Sequence, residues 1–371
     1  NVQYRFRQGL YFLSEESGTA TIGFVEPSQP SKEVDYDVLT LNNAAGTFVG
    51  KPHDLTFATN VAYHYKGFLL ACGSNLYMLE PDQMELAKTL SLKSEITTLQ
   101  GTWADSKGRF FYNGRFGDFD VYKLEAANSD LKAIAKELGI AREALSLAPT
   151  TVSWLTDKTD PKKLDGYLAY DNGAEKIVAR YKELTTKYGV WFNDETKGYS
   201  LTHMVLTGDR LRVALFLKSK SDETIKHLLI NPGTHDVPKA KRVREEVLLS
   251  KEVPAAAHLD ASSVMTSAPT RNLVFYSGAD DSGIYAYNTM SQGNFPTTPL
   301  ISLSKDEVVV DMVVDKDDHF LYIALNSRSG STASIRQIDL TKDSYPVVHE
   351  WKDLRLPITA IALREDYPID N

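Results

Sequence analysis

Apolar positions in this chain fall in short, strand-sized runs separated by turns rich in Gly, Asn, Asp and Pro. Within a run, either every second residue is apolar or nearly all are, the patterns of strands buried on one face or on both. Residues 68–84, FLLACGSNLYMLEPDQM, show the unit: an apolar run, a small turn, a second apolar run and an acidic turn. In that last turn Pro81 presets φ, and the Asp82 carboxylate can bond its own backbone.

The unit recurs. NVAYHYK, FLLACG, NLYMLE and ELAKTLSL make a first full copy, and TTLQGTWAD, RFFYNGR and FDVYKLE a second. A third reads TTVSWLTD, LDGYLAYD, KIVARYK and YGVWFN, and a fourth THMVLTG, LRVALFLK, TIKHLLIN and VREEVLL. SSVMTSAPT, NLVFYSG, GIYAYNT and PLISLS form a fifth, and EVVVDMVVDKDD, FLYIALNS, SIRQIDL and PVVHEW a sixth. A repeated four-stranded antiparallel meander is the blade of a β-propeller. The last apolar run, ITAIALRE, is a first strand with no blade behind it. The first runs, GLYFLSEE, TATIGFVEP and YDVLTLN, lack a first strand in front. Joined, they complete one more blade and remove two free sheet edges.

The prediction is therefore an all-β chain: a seven-bladed β-propeller closed by its N- and C-terminal strands in one blade. No Pro/Gly/Ser-rich linker divides residues 1–371, which are read as a single domain. One segment departs from the strand pattern, residues 129–146, SDLKAIAKELGIAREALS. Leu131, Ile134, Ala135 and Leu138 recur at helical spacing, with Ser129 as N-cap and Gly139 as stop, so a short helix is expected between blades.

Charge and composition narrow the partners. A formal charge of -8 argues against nucleic acid or anionic lipid, which need a basic field to release counterions. No run approaches the 18 or so apolar residues of a membrane helix. The chain opens at Asn1 with no basic-then-apolar leader, a point that neither shows nor excludes export. Cys72 is alone in an apolar run, so no internal disulfide forms and a small buried hydrophobe is the expectation.

Catalytic motifs are missing: there is no phosphate-cradling Gly loop, no nucleophile elbow and no HExxH. No catalytic residue, metal or cofactor is assigned. His53, His64, His203, His227, His235, His258, His319 and His349 are scattered singly. Of these, His64 and His203 fall on predicted innermost strands, where two imidazoles could face one channel. Strand register decides that, because a one-residue slip turns every side chain over.

Ligand-binding candidates lie in the loops from second to third strands and in those entering each blade. NGRFGDFD places Arg115, Phe116, Asp118 and Phe119 in one such loop, combining the residue types that anchor interfaces. The Phe pair could equally fasten the loop to its own blade. YGVWFNDETKGY offers Trp191, Phe192, Asn193 and Tyr199, with Trp191 alternatively ending a strand as core. Lys51, His53 and Asp54 of GKPHDL would sit at a channel mouth or make a satisfied turn. Trp351, Lys352 and Arg355 form an aromatic and basic cluster beside the closing blade. Asp280 and Asp281 of GADDSG are paired carboxylates without the further spaced oxygens of a calcium loop, and read as a solvated hairpin.

NLYMLEPDQMELAKTLSL resembles the blades of YVTN-type bacterial propellers, which read LYVLDPxTxKVVKTI. More loosely, GLYFLSEESGTATIGFVEP and GKPHDL resemble propeller modules of Bacteroidota surface lipoproteins associated with starch-utilisation-type outer-membrane importers. The resemblance implies a non-enzymatic, exported binding protein at the cell surface or in the periplasm. It would capture a small or oligomeric nutrient, or assist an importer component. The lipid-bearing Cys of those proteins is not in this sequence, so an anchor would belong to a segment outside it. Two other readings stand beside this one: a protein-interaction scaffold using the loops or the inserted helix, and a channel-sited lyase or hydrolase using His64 and His203.

Overall fold

The computed structural model describes residues 8–36, 38–60, 65–101, 108–120, 122–155, 164–181, 188–233, 244–280 and 282–365. The chain is a seven-bladed β-propeller, with seven separate antiparallel sheets. Blade one joins β1 (Gly9–Glu16) and β2 (Thr19–Val25) to β27 (Ile358–Arg364). Blade two holds β3 (Pro52–Asn60), β4 (Tyr65–Cys72), β5 (Asn75–Leu79) and β6 (Leu86–Ser91). Blade three holds β7 (Leu99–Gly101), β8 (Arg109–Tyr112), β9 (Arg115–Phe119) and β10 (Leu124–Ala126). Next come blade four, with β11 (Val152–Leu155), β12 (Leu164–Asp171), β13 (Lys176–Tyr181) and β14 (Tyr188–Trp191), and blade five, with β15 (Tyr199–Thr207), β16 (Arg212–Ser219), β17 (Ile225–Asn231) and β18 (Glu246–Glu252). Blade six comprises β19 (Met265–Ala268), β20 (Leu273–Ser277), β21 (Gly283–Asn288) and β22 (Ile301–Ser302). Blade seven comprises β23 (Glu307–Val314), β24 (Phe320–Ser327), β25 (Ala333–Asp339) and β26 (Val347–Leu354).

The chain divides into two compact units, residues 1–113, 117–126 and 305–371 in one, residues 114–116 and 127–304 in the other. In the first unit, Tyr11, Phe24, Phe48, Phe68 and Tyr77 pack between blades one and two. In the second, Trp154, Tyr170, Trp191, Leu215 and Leu228 pack between blades four and five, and Phe216, Tyr276, Tyr285, Tyr287 and Phe295 between five and six. Second and third strands are buried on both faces, which is why FLLAC, RFFY and LVFYS read as continuous apolar runs. Outer strands have one wet face, and β6 alternates accordingly.

Closure is as the pattern predicts: β27 pairs antiparallel with β1, from Gly9 opposite Arg364 to Ser14 opposite Ile358. Four local expectations change. The innermost strand of blade two is Pro52–Asn60, not NVAYHYK, whose residues 61–64 lie outside the described residues. The alternation in NVAYHYK outweighed PHDLTFATN, whose polar residues are those of a half-exposed inner strand carrying a bulge. YDVLTLN forms no fourth strand. The outer edge of β2 is instead met by single bridges, Phe24 to Asp35 and Thr19 to Val49. NGRFGDFD is no loop, because the turn is confined to Asn113 and Gly114 and β9 begins at Arg115.

The inserted helix exists but starts earlier: α1 spans Asn128–Leu138 with Ala127, not Ser129, at the N-cap. It ends as predicted at Gly139, left-handed at φ 69°, where Ile140 N–H returns to the Ala135 carbonyl. Ile134, Ala135 and Leu138 are buried against blade four and Leu131 is half-buried. A one-turn helix, α2 (Asn193–Thr196), links blades four and five.

Candidate functional site

The innermost strands carry the most unusual chemistry. On β3, β15 and β23 the ladder to the second strand is interrupted by a bulge that leaves His53, Thr202 and Val310 unpaired, and the residue at which pairing resumes is Asp54, His203 and Asp311 respectively. A bulge re-aims the side chain beside it along the sheet edge. Here that side chain reaches the next blade's inner strand. Asp54 Oδ1 accepts from the Leu55 N–H at 2.8 Å and Oδ2 from Leu99 of blade three at 2.8 Å. Asp311 repeats the arrangement with Met312 and with Ile361 of the closing strand, both at 2.8 Å. The imidazole Nε2 of His203 lies 2.6 Å from the Ser263 carbonyl oxygen ahead of blade six. Each residue joins two blades by satisfying a backbone group at a blade junction, where an unpaired polar group would be costly.

Burial governs the electrostatics of these groups. It pushes the Asp54 carboxyl up to about 8, with the facing Asp311 charge adding to the effect, and Asp311 up to about 6. The same desolvation lowers His203, so its neutral form is favoured. His227 is wholly buried in blade five, stacked on Phe216 at 5.0 Å and edge-on to Tyr287 and Phe295. Burial lowers its pKa to about 3. Among the described residues, no group of three or more His, Cys, Asp or Glu is placed to hold a metal ion. His64 lies outside the described residues.

The aromatic candidates are largely core. Phe119 has no exposed surface and packs with Phe110 at 6.5 Å, while Phe116 is buried against Tyr167 at 5.1 Å. Asp118 faces the buried Arg109 at 3.5 Å and Lys123 at 4.0 Å. Phe119 is thus fastened to its own blade, whereas Phe116 packs on Tyr167 of blade four, and Arg115 alone of that group is exposed. Trp191 is buried edge-on to Trp154 at 5.9 Å, and Phe192 follows in a left-handed conformation with its ring 6.1 Å from Trp191. Asn193 opens α2. Tyr199 packs on the same cluster, its ring 5.0 Å from Lys226 Nζ. That ammonium pairs with Glu195 at 2.9 Å, and Glu195 also accepts from Ser250 at 2.6 Å, bonds that hold its carboxyl below the usual range.

Lys51 is exposed at the entrance to β3, and beside it His53 Nε2 sits 3.2 Å from Glu95. Trp351 is core, 4.4 Å from the His349 ring. Arg355 is an exposed cation held on three sides: its guanidinium lies 4.9 Å from the Tyr36 ring centroid and 3.1 Å from Glu16, and its backbone N–H donates to the Tyr36 hydroxyl at 3.2 Å. Sequence reasoning missed Tyr36 and Glu16 because each is far from Arg355 in the chain and is brought there by the closing blade. It also missed Asp311, whose signal, a polar residue before Met or Leu in an inner strand, recurs at His203-Met204 and Asp54-Leu55. Asp280 pairs with His258 at 3.2 Å on an exposed hairpin, and Asp281 lies outside the described residues.

No protein-family model matches the chain, and a search of curated proteins finds no match. Solved structures do match in fold. A quinonprotein alcohol dehydrogenase-like protein of Bacteroides thetaiotaomicron superposes with TM-score 0.56 at 11% identity, covering 97% of this chain and 79% of that one. A Lactobacillus plantarum protein gives TM-score 0.57 at 12% identity over 97% and 100% of the two chains. The Swd1 β-propeller domain of Myceliophteria thermophila gives 0.51 at 10% identity over 87% and 91%. At such identities the likeness concerns the propeller fold alone.

Proposed function

We propose that this chain is a non-enzymatic binding propeller that engages its ligand through exposed loops at the blade edges. The observation that carries the reading is Arg355, a half-exposed guanidinium held in place by Tyr36 and Glu16 and presented to solvent. A cation immobilised on an aromatic ring has already lost the rotamer freedom that binding would otherwise cost. Arg115 and Lys51 add further exposed cations on other blades. The groups suited to proton transfer point the other way: His203, Asp54 and Asp311 are engaged with backbone partners. Capture of an anionic or polyhydroxylated nutrient by an exported, surface or periplasmic protein is the role that suits these cations and the lipoprotein-like opening of the sequence.

Native mass spectrometry of gently purified protein, with and without an extract of growth medium, tests this. A discrete mass increment that disappears in Arg355→Ala is the expected result. An increment unchanged in Arg355→Ala, Arg115→Ala and Lys51→Ala would overturn the assignment to these loops. A bare mass in every condition, together with a protein captured by wild type and not by Arg355→Ala, would move the function to a protein-interaction scaffold.

A further inference from the structure

The closing strand β27 lies between two innermost strands that each carry a bulge carboxylate, Asp311 on β23 and Asp54 on β3. The corresponding position on β27 is Ala360, a methyl group that puts no polar atom between the two acids. Neither carboxylate can swing away, because both oxygens of each are fixed by backbone N–H donors. A third acid, Glu365, follows the end of β27 and accepts from the Lys316 N–H at 2.7 Å, in the turn between β23 and β24. Blade seven therefore holds the closing strand at two points, and an acid sits at each.

We propose that β27 is seated by a proton-dependent latch, in which Asp54, Asp311 and Glu365 cannot all be ionised without loosening the closing blade. The other charged groups on the packed strands are engaged elsewhere. Arg364 of β27 bonds the Pro81 carbonyl and Asp82, and Glu307 of β23 pairs with Arg336. His53 of β3 faces Glu95, while Lys66 of β4 lies opposite Thr59 at the far end from Asp54. On β1, Glu16 pairs with Arg355, and Glu15 sits beyond the residues opposite Ala360; β7 carries no charged side chain. Around Glu365 stand Asp315, Lys316 and Asp317, and the two aspartates disfavour its charge.

Burial raises all three acids, Asp311 to about 6, Glu365 to about 7 and Asp54 to about 8. An acid raised by folding contributes fully below its unfolded pKa near 4, and that contribution is lost as pH rises through the folded value. The latch thus weakens progressively above about pH 4, and its acids ionise in the folded protein between about pH 6 and 8.

Amide exchange read as protection factors, corrected for the intrinsic pH dependence of exchange, tests the latch. In wild type, protection of the β1 and β27 amides is expected to fall by about tenfold or more from pH 5.5 to 8.5, with β16 and β17 much less affected. With Asp311 alone left to titrate, the Asp54→Asn, Glu365→Gln double variant should show a fall of about fivefold or less. Constant protection in wild type, a fall of equal size in β16 and β17, or an undiminished fall in the double variant would each overturn the proposal. Should Asp54→Asn not fold, Glu365→Gln alone must still reduce the fall at the C-terminal half of β27, and an unchanged fall there overturns the role of Glu365.

Discussion

His227 shows how far one buried ring commits the fold to a pH range. Its imidazole is enclosed by Phe216, Tyr287 and Phe295, with the Tyr287 hydroxyl 3.3 Å from Nδ1. The folded protein holds the ring neutral, whereas the unfolded chain takes up a proton below about pH 6.5. Stability from this residue is full above that pH and is lost as pH falls toward 3, at about 1.4 kcal/mol per pH unit. Urea unfolding at pH 7 and pH 4.5 should therefore show a loss roughly 2–3 kcal/mol larger in wild type than in His227→Leu. Equal losses would place the acid sensitivity elsewhere. The residue type alone could not announce this behaviour: His203 and His227 both sit in β strands, and only their neighbours make one a blade-to-blade tie and the other an aromatic-caged core residue.

At the scale of elements, apolar rhythm found the inner strand of every blade but the second, while the outer strand expected of YDVLTLN is not formed and the third strand β9 reads as a loop. Inner strands are half-exposed and bulged, so Pro52–Asn60 lost to the more regular NVAYHYK. Conversely, RFGDF looked like a decorated loop because Arg and Asp interrupt it, yet its Phe residues face the core and Gly117 lies under the Phe110 ring, where a Cβ would come within 1.9 Å. The helix insert was legible from its spacing, but its docking was not. Asp130, buried in the first turn of α1, meets Arg180 at 3.4 Å and accepts from the Tyr167 hydroxyl at 3.2 Å. Asp130→Ala should cost roughly 1–3 kcal/mol, since it removes the carboxylate that faces a largely buried guanidinium and accepts from Tyr167. In a double-mutant cycle, Arg180→Ala should cost less in the Asp130→Ala background than in wild type, and equal costs would refute the coupling. A helix so attached belongs to blade four, and its removal would disturb that blade as well as any partner.

For the whole molecule, closure rests on side chains distant in sequence. Arg364 on β27 is buried, bonds the Pro81 carbonyl and Asp82 in the β5–β6 turn, and packs 5.9 Å from the Phe57 ring. Arg364→Ala should destabilise by roughly 1.5–3 kcal/mol. Arg364→Lys should recover little of that, because a single ammonium cannot reproduce the fork to two acceptors. Thermal or urea unfolding decides the point, and full recovery by Lys would reduce the contact to charge alone. The Pro81-Asp82 turn of FLLACGSNLYMLEPDQM is thus both the end of a hairpin and the socket for Arg364 of the closing strand.

Blade number, the pairing of the two chain ends and the helix insert were all available from periodicity, because burial on one or both faces of a strand writes itself directly into the order of residues. The roles of Asp54, His203, Asp311 and Arg355 were not. Each depends on a partner contributed by another blade, at a register set by a bulge or a turn, and residue order carries no record of which backbone groups a fold will bring within 3 Å. Whether an aromatic in a turn-like segment anchors a ligand or fills the core was likewise settled by packing: Phe116, Phe119, Trp191 and Trp351 had room only inside.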